Sequence, residues 1–278
     1  SVIDFSRNSW FSIDEWVAGQ FIWSGIDYLG ESRGWPDKGN RSGLLYTTGF
    51  RKPHSYFTES IYSEKPMVHI TVLDDSLLKE LNRVKTWQQA WYGPPLTDHW
   101  TFPEKLGKTV PVFIFTNCQE VQLLLNGHSL GRKKLADFPD RVIRWEVPYI
   151  MGEIRAIGYN RSASAEHRLQ SAGPAAKIRL KPFVQKSDPL NRTIAQIEVN
   201  ITDEKGIIVP RAVNLIHLNV EGPAKIISVD NGDMSDHRNP KGTMISCRGG
   251  QCLVVVQGTG ERGKVKVTAS SGQLKHGQ

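Results

Sequence analysis

From Met67 onward the apolar residues of this chain recur with a period of two. Val68-His69-Ile70-Thr71-Val72 is the first such run. Alternation at that spacing turns one face of a strand toward a core and the other toward solvent. Similar short runs follow at Val110 to Thr116, Glu120 to Leu125, Val142 to Val147 and Glu153 to Tyr159. Asn126-Gly127, directly after Val121-Gln122-Leu123-Leu124-Leu125, predicts a tight hairpin, because both turn residues tolerate positive φ. A second series runs through Ala176 to Pro182, Ile194 to Thr202, Asn214 to Glu221, Ala224 to Val229, Gln251 to Gln257 and Gly263 to Ala269. Strands of this length and spacing predict two consecutive antiparallel sandwiches of about 100 residues each. The break between them falls at Gly173-Pro174. The stretch Asp74 to Lys108, which carries Trp87, Trp91 and Trp100 among Pro and Gly, reads as a long irregular insert.

Residues 1–65 obey a different pattern. Ser12-Ile13-Asp14-Glu15 before Trp16-Val17 has the form of a capping box opening a short helix. The run Gly19-Gln20-Phe21-Ile22-Trp23-Ser24-Gly25-Ile26-Asp27-Tyr28-Leu29-Gly30-Glu31 then reads, over its first half, as a buried strand. It feeds acids and aromatic rings into a Gly/Pro/Asp-rich loop ending at Trp35-Pro36-Asp37. Tyr56 to Tyr62 predicts a helix, with Pro66 beyond its end. A strand that delivers Trp and carboxylates at its C-terminal lip is the active-site strand of a β/α barrel. It starts too near Ser1 for a barrel to precede it within the chain, so the expectation is the tail of a larger enzyme. The predicted fold class is mostly β: the C-terminal end of a TIM (β/α)8 barrel over 1–65, then Ig-like or fibronectin-like sandwiches over 66–172 and 173–278.

Charge excludes little. The net charge of +7 comes with basic residues scattered at turns and alternating strand positions, such as Arg132-Lys133-Lys134 and the pair Lys264 and Lys266. Nucleic-acid binding calls for a clustered basic face, so no nucleic-acid partner is expected. No apolar stretch approaches the roughly 20 residues of a membrane span, and no membrane partner is expected. The oligomeric state is left open, and so is the compartment. The Cys count is three. Cys247 and Cys252 flank Arg248-Gly249-Gly250-Gln251, a hairpin turn, and are read as buried thiols or as a cross-hairpin disulfide. Their spacing lacks the second ligand pair of a zinc site.

No nucleophile elbow, phosphate loop or zinc-binding helix motif is present. Glycoside hydrolysis uses two carboxyl groups, roughly 5–5.5 Å apart in retaining enzymes. The acids at the barrel-like strand are Asp27, Glu31 and Asp37. Glu31 sits where strand meets loop and reads either as a substrate contact or as a loop acid paired with Arg33 or Arg41. Asp27 lies on the strand and reads as a supporting group that holds backbone or an Arg. Trp23 is either a core ring or a flat platform for the C–H face of a pyranose. Asp230-Asn231-Gly232-Asp233 with Asp236 has some ingredients of a calcium loop, but it lacks the full spacing and closing Glu and reads as a turn. No metal site is expected.

In order along the chain, these motifs resemble the C-terminal part of glycoside hydrolase family 2, the β-galactosidase and β-glucuronidase family. Gly19 to Glu31 resembles the eighth strand of that family's catalytic barrel. Gly49-Phe50-Arg51-Lys52-Pro53 with Tyr56-Phe57 resembles the turn and last helix that close it. Val121 to Gly131, then Trp145-Glu146-Val147-Pro148-Tyr149 and Gly152-Glu153-Ile154-Arg155-Ala156, is similar to the sandwich that follows. Ala172-Gly173-Pro174-Ala175 and Asp230-Asn231-Gly232-Asp233 are similar to parts of a further Ig-like domain. The resemblance implies a retaining β-glycosidase with a carbohydrate substrate, a β-galactoside or related glycoside, and no organic cofactor. It implies two catalytic Glu residues on earlier barrel strands. The acid/base of the family follows an Asn, and this chain contains no Asn-Glu pair; no catalytic residue is therefore assigned here. Substrate-binding roles fall to Trp23, as the floor of the sugar subsite, to Asp27 in support, and to Glu31. The loop Arg33-Gly34-Trp35-Pro36 departs from the Glu-Pro sequence usual there. The alternative is a non-catalytic carbohydrate-binding or adhesion array of β-sandwiches.

Overall fold

The computed structural model describes residues 16, 21–32, 34–82, 94–161, 163–185 and 193–277. The chain divides into two compact units. One comprises Ser1–Ile26, Arg41–Leu45 and Arg51–Ser171, the other Asp27–Asn40, Tyr46–Phe50 and Ala172–Gln278. Its architecture is mostly β. The first elements are two short antiparallel strands of the second unit, β1 (Tyr28–Leu29) and β2 (Gly39–Asn40), in register Tyr28↔Asn40 and Leu29↔Gly39.

The first unit opens with α1 (Ser55–Tyr62). Then come β3 (Val68–Leu73), α2 (Asp75–Asn82), β4 (Leu96–Thr97), β5 (Thr109–Thr116) and β6 (Glu120–Leu125). After them follow β7 (His128–Lys134), β8 (Val142–Pro148), β9 (Glu153–Tyr159) and β10 (Ser164–Gln170). They form two antiparallel sheets, ordered β4-β3-β5-β8 and β10-β9-β6-β7. Ile70, Val112, Ile114 and Ile143 of one sheet meet Val121, Leu123 and Ile154 of the other in a core closed to solvent. The remaining face of β5 is apolar as well. Phe113 and Phe115 turn outward and pack with Phe57 of α1, the Phe57 and Phe115 rings meeting edge-on at 5.6 Å. A strand covered on both faces reads as a continuous apolar run, which is why β5 shows little alternation.

Asn126 and Gly127 adopt φ of 49° and 82°, and the hairpin pairs Leu125 with His128 as the turn chemistry predicts. Sequence patterning passed over β4 in the insert and, in the other sheet, β7 and β10, which are the two edges of that sheet. Both are polar and largely exposed, and charged edges of this kind discourage pairing with other chains.

The described part of the insert is more ordered than its composition suggests. Asp74 caps α2 through Oδ1, which accepts the Ser76 N–H at 2.8 Å. Trp100 and Phe102 lie fully buried with Tyr149, whose hydroxyl accepts the Phe102 N–H at 2.9 Å. Trp87 and Trp91 lie outside the described residues, as does the Ser12–Glu15 capping box.

Among the described residues 21–31 the expected strand is formed at Tyr28–Leu29, preceded by a parallel bridge between Ile26 and Leu45. Phe21 is fully exposed, and Trp23 and Ile26 are 70% and 44% exposed. Leu44 and Leu45 donate to the Ser24 and Gly25 carbonyls along one edge. An apolar run takes up regular, buried strand geometry only where neighbouring elements cover it on both faces, and composition alone does not report that cover.

The second unit continues with β11 (Lys177–Gln185), β12 (Ile194–Thr202), β13 (Leu215–Glu221), β14 (Ala224–Asp230), β15 (Met244–Ser246), β16 (Gln251–Gly258) and β17 (Lys266–Ser270). Its sheets run β11-β12-β16-β14 and β15-β13-β17. They close over Val199, Ile201, Val254, Val256, Ile216, Leu218 and Ala269. Cys247 and Cys252 are buried free thiols with sulfurs 3.6 Å apart. Contact with Cys247, and then burial, pushes the Cys252 thiol up. Asp203, buried after β12, fixes the start of this unit by accepting the Gly173 N–H at 2.8 Å and the Ile207 N–H at 2.9 Å. Burial works against its charge, yet backbone donors from Gly173, Ile207, Lys205 and Gly206 hold the carboxyl below its usual range.

A pH dependence follows from β3. His69 is 5% exposed and stacked between the rings of Tyr56, at 3.4 Å, and His167, at 4.1 Å. Burial first, then His167 and Arg51, lowers its pKa to about 2. Burial lowers that of His167 to about 4, and His167 Nδ1 accepts the Ile70 N–H at 3.1 Å. Both rings are neutral in the fold, whereas unfolding frees them to take a proton near pH 6.5. Their contribution to stability is therefore complete above pH 6.5 and declines as pH falls through the folded values. For His69 the decline is about 1.4 kcal/mol per pH unit below 6.5. Urea midpoints for this chain are expected to fall from pH 7 to pH 5, with a shallower fall in His69→Phe. Equal midpoints at the two pH values contradict the neutral stack.

Candidate functional site

Trp23 belongs to the first unit. Its ring is open to solvent, and the peptide bond to Ser24 is cis. Ser24 Oγ donates to the Ile26 carbonyl at 2.8 Å, and the 42–45 segment holds the backbone just after the ring. An exposed indole on an anchored backbone is available to a flat apolar ligand face.

Asp27 and Glu31 belong to the second unit. Asp27 is buried at 4% exposure. Glu31 lies at the start of the β1–β2 connection with φ +49°, directly after Gly30 at φ +89°. The left-handed backbone suits Gly and is uncommon for Glu. The Tyr28 hydroxyl donates to Glu31 Oε2 at 2.5 Å and fixes the carboxylate. Arg33 lies outside the described residues. Across the tip, the Asp37 N–H donates to the Gly34 carbonyl at 3.0 Å, and the Gly30 N–H to the Lys38 carbonyl at 3.0 Å.

The hairpin is seated on the loop that follows β14. The Lys38 N–H donates to the Met234 carbonyl at 2.9 Å, and Lys38 Nζ to the Asp236 carbonyl at 2.5 Å. Gly39 is in close approach to Met234: a Cβ there would stand 2.9 Å from the Met sulfur. His237 Nε2 donates to the Pro36 carbonyl at 2.7 Å, and its ring stacks on that of Trp35 at 4.5 Å and 19°.

The acids of this loop are turned inward on its own backbone. Asp230 Oδ1 accepts the Gly232 N–H, Asn231 Oδ1 the Asp233 N–H, and Asp233 Oδ1 both the N–H and the hydroxyl of Ser235. Asp236 is bound by Arg238 and by Asn231 Nδ2. Burial opposes the Asp236 charge, but these donors hold its carboxyl below the usual range. The turn expected over Asp230–Asp233 is built from Asx turns. Sequence reading did not find His237 or Met234. Their partners lie some two hundred positions earlier in the chain, beyond the reach of local pattern.

Residues 178–278 match the glycoside hydrolase family 2 C-terminal domain 5, and residues 107–164 match a domain of unknown function (DUF4982). A β-galactosidase of Bacteroides ovatus is 29% identical over 266 residues, covering 94% of this chain and 28% of that protein. A solved glycosyl hydrolase family 2 member from Bacteroides cellulosilyticus superposes with a TM-score of 0.83 at 30% identity, covering 94% of this chain and 35% of the other. The chain belongs to glycoside hydrolase family 2, as a C-terminal portion. A putative β-glucuronidase of Formosa agariphila is also similar to this family 2 chain, at 30% identity over 80% of it. So is a β-glycosidase structure from Bacteroides vulgatus, with a TM-score of 0.75 at 30% identity, covering 91% of this chain and 29% of that one. The family 2 chain spans less than a third of the length of the curated relatives it matches, 28% and 20%.

Proposed function

We propose that this chain is the C-terminal part of a retaining β-glycosidase that hydrolyses β-galactosides or related β-linked sugars. In that reading residues 1–65 supply the last strand and helix of a TIM barrel. Residues 66–172 and 173–278 are Ig-like accessory sandwiches. Both catalytic glutamates lie upstream of Ser1: one attacks the anomeric carbon and forms a glycosyl-enzyme, while the other protonates the departing oxygen and then activates water. No organic cofactor takes part.

The work of this chain is positioning. Trp23 stacks under the sugar that is cleaved, keeps water from that face and holds the ring as it distorts toward the transition state. Glu31, fixed by Tyr28, accepts from sugar hydroxyls, and buried Asp27 is a supporting group. The observation that carries the reading is the Trp23 indole, 70% exposed, on the run that resembles the family's eighth barrel strand.

The purified chain is expected to hydrolyse no aryl β-galactoside, β-glucuronide or β-mannoside above buffer, because nucleophilic and acid/base assistance are each worth orders of magnitude in rate. Turnover by the chain that disappears in Glu31→Gln refutes the assignment and makes Glu31 catalytic.

A further inference from the structure

We infer that Trp35, backed by His237, is a second sugar-stacking platform, built by the C-terminal unit and taking one pyranose ring of a β-linked oligosaccharide. The inference rests on the proposal that the parent protein acts on glycosides.

Trp35 is 84% exposed at the tip of the β1–β2 hairpin. A large apolar ring in that position on a loose loop is entropically costly to order around a ligand. Here the cost is met in advance. One face of the indole is covered by the His237 ring at 4.5 Å, nearly parallel to it. His237 is itself fixed by its bond to the carbonyl of Pro36, the residue next to Trp35. The tip is closed by the Asp37 to Gly34 bond, and its return arm is pinned through Lys38 to Met234 and Asp236. Asp236 is in turn held by Arg238 and Asn231. The outer face of the indole is therefore presented to solvent by a chain of contacts within one compact unit.

The chemistry of that face selects the occupant. A rigid flat π surface complements the axial C–H face of a pyranose. Glu31 at the start of the same connection offers carboxylate oxygen to equatorial hydroxyls, one of its oxygens being oriented by Tyr28. The loop that opens with Asp230-Asn231-Gly232-Asp233, a run similar to part of a family 2 Ig-like domain, thereby holds the sugar-facing ring.

The test is a titration of the 278-residue chain, labelled with ¹⁵N, with β-1,4-galactotriose and separately with cellotriose up to about 20 mM, a range that covers millimolar dissociation constants. The indole N–H peaks of Trp35 and Trp23 are assigned by their disappearance in Trp35→Phe and Trp23→Phe. The expected result is a saturable shift of the Trp35 peak with at least one probe. Sugar binding followed by ligand-observed saturation transfer is expected to weaken in Trp35→Ala. In His237→Ala the Trp35 shift is expected to need about 2- to 10-fold more sugar, the value of one aromatic stacking contact. A Trp35 peak that stays fixed with both probes overturns the inference. So does a response unaltered by His237→Ala, or one that appears on raising protein concentration without sugar, which marks contact between copies. The Trp23 peak reports separately: movement of Trp23 without Trp35 leaves the glycosidase reading standing and removes this platform.

Discussion

Trp100→Ala is expected to destabilise the first sandwich by about 3–5 kcal/mol, the cost of emptying a large aromatic site in a closed core. Trp100 is fully buried, in contact with the Tyr149 ring at 4.9 Å and the Phe102 ring at 6.4 Å. Its indole N–H donates to the Ile150 carbonyl at 3.0 Å, and its own carbonyl accepts from the Ser171 hydroxyl. Truncation removes packing and leaves the Ile150 carbonyl without this donor, and the two penalties add. Urea denaturation followed by near-ultraviolet circular dichroism reads the loss. Trp35→Ala, at an exposed tip, should stay within about 0.5 kcal/mol of the parent chain. Similar midpoints for the two variants contradict the core assignment of Trp100.

Trp23→Ala in the full-length parent is expected to act on catalysis rather than on folding. A ring that floors the sugar subsite positions the substrate both in the ground state and on the way to the transition state, so KM rises and kcat falls together. Misplacement on the scale of an ångström costs roughly 10²-fold in rate, and kcat/KM should drop by about that factor. The melting temperature should hardly move, since a ring that lines a pocket contributes less to a core than a fully buried one. Steady-state kinetics and thermal unfolding on the same variant separate the two roles. An early melt with unchanged kinetics per folded molecule makes Trp23 structural.

Trp100 and Trp23 also mark how far the fold and the candidate site are legible in the sequence. Period-two runs and the Asn126-Gly127 turn are local signals, and the strands they predict form nearly where expected. Edge strands β7 and β10 escape because their energetic need is polarity, not an apolar face. Trp100 sits in a segment whose Pro and Gly spell irregular backbone, and irregular backbone is compatible with a buried side chain. Apolar composition around Phe21 and Trp23 suggests burial, but burial depends on covering elements that composition does not name. The seat of the Glu31 and Trp35 connection on Met234, Asp236 and His237 is a pairing of distant segments. Local sequence shows why each loop turns and is silent on which loops meet. Asp27 is buried, and the roles of Trp23 and Glu31 are tested by the variants described above.

The most direct test of the central claim follows the first product of the full-length parent by ¹H NMR. An aryl β-galactoside, β-glucuronide and β-mannoside are each offered, and the anomeric signal of the released sugar is recorded before mutarotation. A retaining two-glutamate enzyme inverts the anomeric carbon twice, so the β anomer is predicted to appear first and the α anomer to grow in later. First release of the α anomer, or no release from any of the three substrates, contradicts the account.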